Sequence, residues 1–179
     1  EVPSRGLGDV YKRQGEKENW EKFALWDQTT RVPLFIHAPG LSKDGAKTRQ
    51  PVTLTDLYPT LCELAGLPVP KQCDGVSLVP QLRKPQQHSS SVSLTSFQFW
   101  GDSSPSHAVS DERHRLISYP DGFIELYDLL KDPHEFTNLA NDPSFAMIKK
   151  HLYQKIPTKV KSIVGIPADS IYNRKRKIR

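Results

Sequence analysis

Two alternating runs of residues joined by a short turn constrain the fold of this chain more than any other feature. RHRLISY (113–119) and FIELYDL (123–129) alternate polar and apolar side chains, and Pro-Asp-Gly (120–122) lies between them. Alternation is typical of a half-buried strand, and a glycine-containing turn between two such runs predicts an antiparallel hairpin. A lone hairpin is only marginally stable in water, so the fold requires further strands and a covering element.

Segments on both sides of the hairpin are predicted to supply those parts. SVSLTSFQF (91–99) also alternates and predicts a half-buried strand. Downstream, Asp142 is placed as an N-cap with Pro143 at the first helical position, which predicts a helix that runs to about Ile156. Its apolar side would consist of Phe145, Ile148, Leu152 and Ile156. The C-terminal half is therefore predicted to be α+β, with an antiparallel sheet covered by one helix.

The N-terminal half has a different pattern, which predicts part of an α/β domain. Residues 15–31 predict a short helix or an ordered loop lying on a core. The compact apolar run VPLFI (32–36) is typical of a strand buried on both faces, as in a parallel sheet. Residues 53–66 predict a helix, with Thr53 and Asp56 as a capping box and Gly66 at its end. Its apolar stripe would contain Leu54, Leu57, Tyr58, Leu61, Leu64 and Ala65.

The charge is unevenly distributed and restricts the classes of partner. The 179 residues carry 25 Lys and Arg against 20 Asp and Glu, a net charge of +5, and residues 173–179 alone contribute +5. The chain lacks the cationic face that a specific nucleic-acid module spreads over its surface. The tail is expected to be a solvated end, and non-specific attraction to polyanions is the alternative. The longest apolar run is VPLFI, so neither a membrane span nor a signal peptide is expected in this chain.

The first fourteen residues differ in character from the rest. SRGLGDVYKRQ (4–14) has no apolar period, and it resembles the in-frame translation of a transposon-based sequencing adapter. We therefore interpret residues 1–14 as a non-native segment and begin the fold prediction at Gly15.

Five blocks in collinear order resemble one enzyme family. They are GEKENWEKF, TRVPLFIHAPG, TLTDLYPTLCELAGLPVP, CDGVSLVPQL and DGFIELYDLLKDPHEFTNLAND. Together they resemble the C-terminal part of formylglycine-dependent sulfatases, nearest to the iduronate-2-sulfatase-like branch. The resemblance implies a truncated alkaline-phosphatase-like fold. Residues 15–88 would be the C-terminal part of the large α/β domain, and residues 89–160 would form a small subdomain with an antiparallel sheet and a helix. Residues 161–179 would be a disordered basic tail.

The resemblance also implies a sulfate-ester hydrolase whose catalytic groups lie elsewhere. In that family a Cys or Ser becomes a formylglycine nucleophile, and acidic residues hold a calcium ion. Neither the nucleophile motif nor the metal ligands occur in this chain, so no catalytic or metal residue is predicted here. Calcium is expected in an intact parent enzyme and not on this chain alone. The substrate would be a sulfated saccharide of polysaccharide or glycosaminoglycan type, and the chain by itself would be inactive.

The resemblance assigns two substrate-binding candidates, Lys22 and His107. Lys22 follows the Gly-Glu pair at the position of the family's sulfate-binding lysine, and an ammonium suits the three anionic oxygens of a sulfate ester. His107 matches a His-Ala-Val that precedes the hairpin and would approach the sugar. In a secreted parent, Cys62 and Cys73 would form a disulfide, and free thiols are the alternative.

Further functions and properties also follow as expectations. The chain could instead derive from a phosphate or phosphonate ester hydrolase of the same superfamily, or it could be a non-enzymatic polyanion-binding module. The parent would be secreted, periplasmic or lysosome-like. Because part of an α/β domain leaves apolar surface uncovered, self-association through exposed core residues is expected.

Overall fold

The computed structural model of the chain describes residues 13–14, 17, 20–21, 24–87, 90–98 and 104–158. Lys22, residues 1–12 of the adapter-like segment and all residues from 159 onward, including the predicted basic tail at 161–179, lie outside the described residues. The strands are β1 Arg13–Gln14, β2 Trp20–Glu21, β3 Ser93–Phe97, β4 Ser106–Ser110, β5 His114–Ser118 and β6 Ile124–Asp128; the α-helices are α1 Asp27–Thr30, α2 Leu57–Leu64, α3 Val79–Arg83 and α4 Ala146–Tyr153.

The principal sheet is antiparallel, and its strand order is β3-β4-β5-β6. The predicted hairpin is confirmed as β5 and β6, with Leu116 paired to Leu126. Gly122 adopts a φ of 86°, which explains the glycine in this turn. The strand predicted in 91–99 is confirmed as β3. Strand β4 was not predicted from the sequence. All five of its residues are buried in the structure.

Both faces of this sheet are covered, each by a different part of the chain. On one face Val109, Leu116 and Leu126 pack with Leu152 of α4, and all four are fully buried. On the other face Ala108, Ile117 and Tyr127 pack against Leu25, which precedes α1. Each fully buried leucine contributes about 2 kcal/mol through removal of apolar surface from water. The predicted C-terminal architecture is thus present, and the N-terminal segment forms its second cover. The predicted domain boundaries stay predictions.

The helical segment that covers the sheet begins at the predicted position, as a 3₁₀ turn that precedes α4. Asp142 Oδ1 accepts a hydrogen bond from the Ser144 amide at 2.9 Å, and a 3₁₀ turn at Pro143–Phe145 leads into α4. Helix α4 ends at Tyr153, three residues before the predicted end. Its apolar side packs on the sheet, and Lys149 Nζ reaches the Ala140 carbonyl at 2.9 Å.

The helix predicted in 53–66 is also present, but it buries a different face. Thr53 and Asp56 form the predicted capping box on a 3₁₀ turn at Leu54–Asp56, and Gly66 follows α2 with a φ of 67°. The predicted apolar stripe is largely exposed, with Leu61 at 63%. The buried side chains of α2 are Pro59, Thr60 and Cys62.

Hydrogen bonds to the following connector explain which face of α2 is buried. Thr60 Oγ1 accepts from the Leu78 amide at 2.8 Å, and Asp56 Oδ1 accepts from the Val76 amide at 2.9 Å. A Cβ on Gly75 would lie 2.2 Å from the Thr55 carbonyl oxygen, so only glycine fits this crossing. The polar face of α2 is therefore held by backbone groups, and the apolar stripe points outward.

The prediction of a buried strand at VPLFI (32–36) is wrong. These residues have no helix or strand assignment, and the side chain of Phe35 is 91% exposed. A strand buried on both faces needs neighbouring strands and helices, and no described residue pairs with this segment in either sheet. The apolar run is therefore a largely uncovered segment without regular secondary structure.

Candidate functional site

A cluster of buried charged groups lies between α1 and the sheet, centred on Arg115 of β5. This guanidinium is 4% exposed and donates from Nε to the Leu25 carbonyl at 2.8 Å. It also donates from NH2 to Thr30 Oγ1 at 2.6 Å and from NH1 to Ser110 Oγ at 2.8 Å. One side chain of the sheet thus fixes both ends of the segment 25–30.

Glu135 is the buried acid beside this guanidinium. Its Oε1 lies 3.7 Å from Arg115 Nε, and its Oε2 accepts the Asp27 amide hydrogen at 2.8 Å. The side chain is 1% exposed, and burial raises its pKa to about 7, although Arg115 acts in the opposite direction. Glu135 also has a φ of 59°, an uncommon conformation for a residue with a side chain.

A second buried acid, Glu125 of β6, collects three hydrogen-bond donors. Trp26 Nε1 donates to Oε2 at 2.8 Å, Tyr127 donates to the same oxygen at 2.8 Å, and Tyr119 donates to Oε1 at 3.3 Å. Burial raises the pKa of both tyrosines, and Glu125 adds to the effect. Lys17 Nζ lies 3.1 Å from the Tyr127 hydroxyl and 4.3 Å from the centre of the Trp26 ring. This cluster therefore ties residues 17 and 26 to β6.

An ion pair closes the far end of the hairpin. Arg113 donates to Asp128 from Nε at 3.0 Å and from NH2 at 2.5 Å, and Asp128 is 1% exposed. Hydrogen bonding to Arg113 lowers the pKa of Asp128 to about 2. This pair stabilises the turn that follows β6, where Asp128 also accepts the Leu130 amide hydrogen at 3.2 Å.

Of the two substrate-binding candidates, only His107 is described. It lies on β4, is 7% exposed, and its Nδ1 is 2.8 Å from Ser96 Oγ. Burial lowers its pKa, so the neutral imidazole is favoured. Because alternate residues of a strand share a face, His107 lies on the same face as Val109, and Arg115 and Glu125 lie on the opposite face. The role predicted for His107 stays a prediction, as does that of Lys22.

Both cysteines are free thiols in the structure, Cys62 buried on α2 and Cys73 half-buried in the connector. Tyr58 lies near both, and its pKa is raised mainly by Cys62. The disulfide between Cys62 and Cys73 stays a prediction.

Among the described residues, no group of three or more His, Cys, Asp or Glu side chains is arranged to hold a metal ion. These residues therefore do not fit a calcium site, and the calcium expected in a parent enzyme stays a prediction. Within the same part of the chain, no helix is long and apolar enough to cross a membrane.

Comparison with known proteins assigns the family. Residues 15–162 match the sequence-family model for the C-terminal region of N-sulphoglucosamine sulphohydrolase. The chain belongs to the sulfatase family. It is 38% identical over 133 residues to a sulfatase from Formosa agariphila, covering 74% of this chain and 25% of the relative. It is 36% identical over 131 residues to the Δ4,5-hexuronate-2-O-sulfatase of Bacteroides thetaiotaomicron, covering 70% of this chain and 27% of the relative.

Solved structures confirm the fold predicted from the resemblance. A protein solved in complex with its substrate D-glucosamine-2-N,6-O-disulfate matches with a TM-score of 0.67 at 24% identity, over 78% of this chain and 30% of that protein. The phosphonate monoester hydrolase of Silicibacter pomeroyi matches with a TM-score of 0.59 at 25% identity, over 89% of this chain and 32% of that protein. The sulfatase chain thus has the predicted alkaline-phosphatase-like fold, and it spans about a quarter to a third of the length of the proteins that it matches.

The sequence reasoning missed the polar clusters around Arg115 and Glu125. Both lie in segments that were interpreted as alternating strands, where the polar positions were expected to face solvent. The presence of Trp26 and Leu25 in a segment predicted to lie on a core was the one available signal for a second covered face. Glu135 lies in a turn-rich block of the family resemblance, and nothing in its spacing indicated burial.

Proposed function

We propose that this sulfatase chain is the C-terminal part of an enzyme that hydrolyses sulfate esters of sugars, of the polysaccharide or glycosaminoglycan type. The match of residues 15–162 to a sulfatase C-terminal model carries the proposal. The 36% identity to a hexuronate-2-O-sulfatase supports a uronic-acid-containing saccharide as substrate. The iduronate-2-sulfatase-like branch is part of the same proposal.

In this proposal the chain supplies substrate contacts and support, and the nucleophile and calcium ligands come from polypeptide outside it. Lys22 would donate charge-assisted hydrogen bonds to the sulfate oxygens, which strengthen as negative charge develops on the leaving group. His107 would act near the sugar. The complete enzyme would work outside the cytosol, in a secreted, periplasmic or lysosome-like setting.

A chimaera tests the proposal. Residues 15–162 of this chain replace the matched segment of the Bacteroides thetaiotaomicron enzyme, and release of sulfate from its unsaturated 2-O-sulfated hexuronate substrate is measured. We expect turnover from the chimaera and none from the isolated 179-residue chain with a chromogenic aryl sulfate. A folded chimaera without sulfatase activity, or turnover by the isolated chain, would contradict the proposal.

A lysine substitution tests the sulfate contact within the same chimaera. Lys22→Ala should lower kcat/KM about 10- to 100-fold, because a hydrogen bond to a charged group contributes roughly 1.5–3 kcal/mol. Lys43→Ala is the matched control, since Lys43 is exposed and the family resemblance assigns it no functional role. Equal activity of the two variants would show that Lys22 does not contact the sulfate.

The second candidate function is hydrolysis of phosphonate monoesters. The structural match to the Silicibacter pomeroyi phosphonate hydrolase favours it over a non-enzymatic polyanion-binding module. Aryl sulfate and phenyl phosphonate assayed side by side on the full-length enzyme that contains this chain discriminate the two hydrolase functions, and faster phosphonate turnover would support this candidate.

A further inference from the structure

The buried cluster between α1 and the sheet contains more negative than positive charge. One guanidinium, Arg115, faces two carboxylates, at 3.7 Å from Glu135 Oε1 and 3.8 Å from Asp27 Oδ1. Both distances exceed that of a hydrogen bond, so neither acid is fully compensated by this partner. The guanidinium instead donates its hydrogen bonds to Leu25, Thr30 and Ser110.

Glu135 is the less compensated of the two acids. It is 1% exposed, whereas the side chain of Asp27 is 18% exposed and also lies 3.5 Å from Arg31 NH1. Oε2 of Glu135 accepts the Asp27 amide hydrogen, but no donor among the described residues hydrogen-bonds Oε1. A buried carboxylate oxygen without a donor favours the protonated acid.

The same acid holds α1 on the sheet. Its bond to the Asp27 amide joins residues 108 positions apart in the chain, and Arg115 fixes Leu25 and Thr30 on either side of that bond. We propose that Glu135, Arg115 and Asp27 form a proton-sensitive latch, which attaches Leu25–Thr30 more tightly when Glu135 is protonated and more loosely when it is ionised.

Charged and titratable groups face Glu135 from every packed element. Asp27 of α1 and Arg115 of β5 are the nearest, and Lys17, Tyr119 and Tyr127 also interact with it. The adjacent His134 is a further contact to α1, with its Nδ1 2.8 Å from Gln28 Nε2. Burial raises the pKa of Glu135 to about 7; Arg115, the Asp27 amide and Lys17 lower it, and the Asp27 carboxylate raises it. The positive groups around Glu135 therefore do not offset its burial.

The direction of the pH effect follows from proton linkage. Between the unfolded value of 4.5 and the folded value of about 7, the attached state binds more protons than the detached state. Attachment is therefore strongest below pH 4.5, weakens between pH 4.5 and 7, and changes little above that range. The full difference between these two pKa values corresponds to an increase of about three-hundredfold in the opening equilibrium.

Amide hydrogen exchange of the 179-residue chain at pH 5 to 8 tests the latch, with intrinsic rates taken from an unstructured peptide of residues 24–32. We expect the protection factors of residues 27–31 to fall at least tenfold from pH 5 to 8, and those of Val109 and Leu116 to fall less. In Glu135→Gln this pH dependence should disappear. Glu63→Gln is the matched control, because Glu63 is exposed on α2, and it should behave as the unsubstituted chain does.

Three results overturn the latch: unchanged pH dependence in Glu135→Gln, no pH dependence in the unsubstituted chain, or an equal fall in protection across the sheet. If Glu135→Gln does not fold, carboxyl carbon-13 NMR of the unsubstituted chain decides. A pKa of Glu135 well above 4.5 with a coincident shift of the Asp27 amide supports the latch. A pKa at or below 4.5 overturns it.

Discussion

The sheet region and the region between residues 31 and 78 both contain apolar patterns that predict buried faces, but the two regions bury them very differently. In the sheet, Val109, Leu116, Leu126 and Leu152 have no exposed surface. In the other region, Phe35 is 91% exposed and Leu61 is 63% exposed. An apolar pattern therefore predicts a face that prefers burial, and only a partner element can bury it.

The two regions are also held by different interactions. The sheet is held by apolar packing on both faces, with polar clusters at Arg115 and Glu125 that attach the N-terminal segment. In the other region, the part from residue 50 to 80 is held chiefly by hydrogen bonds from backbone amides to side chains, such as that from the Leu78 amide to Thr60 Oγ1. Substitutions that remove packing should therefore have large effects in the first region and small effects in the second.

The largest expected effect is in the sheet core. Leu116→Ala should lower the free energy of unfolding by about 3 kcal/mol, because it removes buried methyl groups and leaves a cavity between the sheet and α4. Leu61→Ala, on the exposed stripe of α2, is the control and should change it by less than about 0.5 kcal/mol. Urea denaturation of both variants measures the difference, and equal losses would contradict the contrast between the regions.

The Arg113–Asp128 pair should contribute less. Asp128→Asn should cost about 1–2 kcal/mol at pH 7, since it weakens the hydrogen bonds between a buried carboxylate and a guanidinium whose side chain is 43% exposed. Because the pKa of Asp128 is lowered from 3.8 to about 2, its contribution is present above pH 3.8 and is lost as pH falls through 2. The difference between the two proteins in urea denaturation should thus shrink from pH 4 to pH 2. A difference independent of pH would contradict this assignment.

A local effect is expected where the connector crosses α2. Gly75→Ala places a Cβ 2.2 Å from the Thr55 carbonyl oxygen and should destabilise residues 54–79 by about 1–2 kcal/mol through overpacking. Exchange of the Val76 and Leu78 amides should accelerate, while exchange in the sheet stays unchanged. Gln72→Ala, at an exposed connector position, should leave both rates as they are.

The smallest effect on stability is expected at the uncovered segment. Phe35→Ser should change the free energy of unfolding by less than about 0.5 kcal/mol, since Phe35 is already in solvent. It should nevertheless reduce self-association, because it removes the most exposed large apolar side chain in the described part of the chain. Sedimentation velocity over a concentration series measures this, and unchanged association would exclude Phe35 from the contact surface.

Much of the fold could be predicted from local patterns. The β5–β6 hairpin, the strand β3, the cap at Asp142 and the capping box at Thr53 depend on residues close in the chain, and all are present. The strand at 32–36 could not be judged in this way, because its formation depends on neighbouring strands. Strand β4 was missed because its mixed polar and apolar residues, SHAVS, are buried on both faces of the sheet.

The candidate site was less accessible to sequence reasoning. The resemblance supplied Lys22 and His107, and neither role is tested by the structure. The Arg115, Glu125 and Glu135 clusters join residues about 100 positions apart, so no local spacing indicates them. Their contacts depend on α1 lying on the sheet.

By itself, the sequence determined the family, the antiparallel hairpin and the helix boundaries marked by caps, because these follow from nearby residues and collinear motifs. Only the tertiary structure decided which apolar face was buried, where the N-terminal segment packed and which charges lost their solvent. Burial and charge compensation depend on what surrounds a side chain, and that environment is assembled from distant parts of the chain.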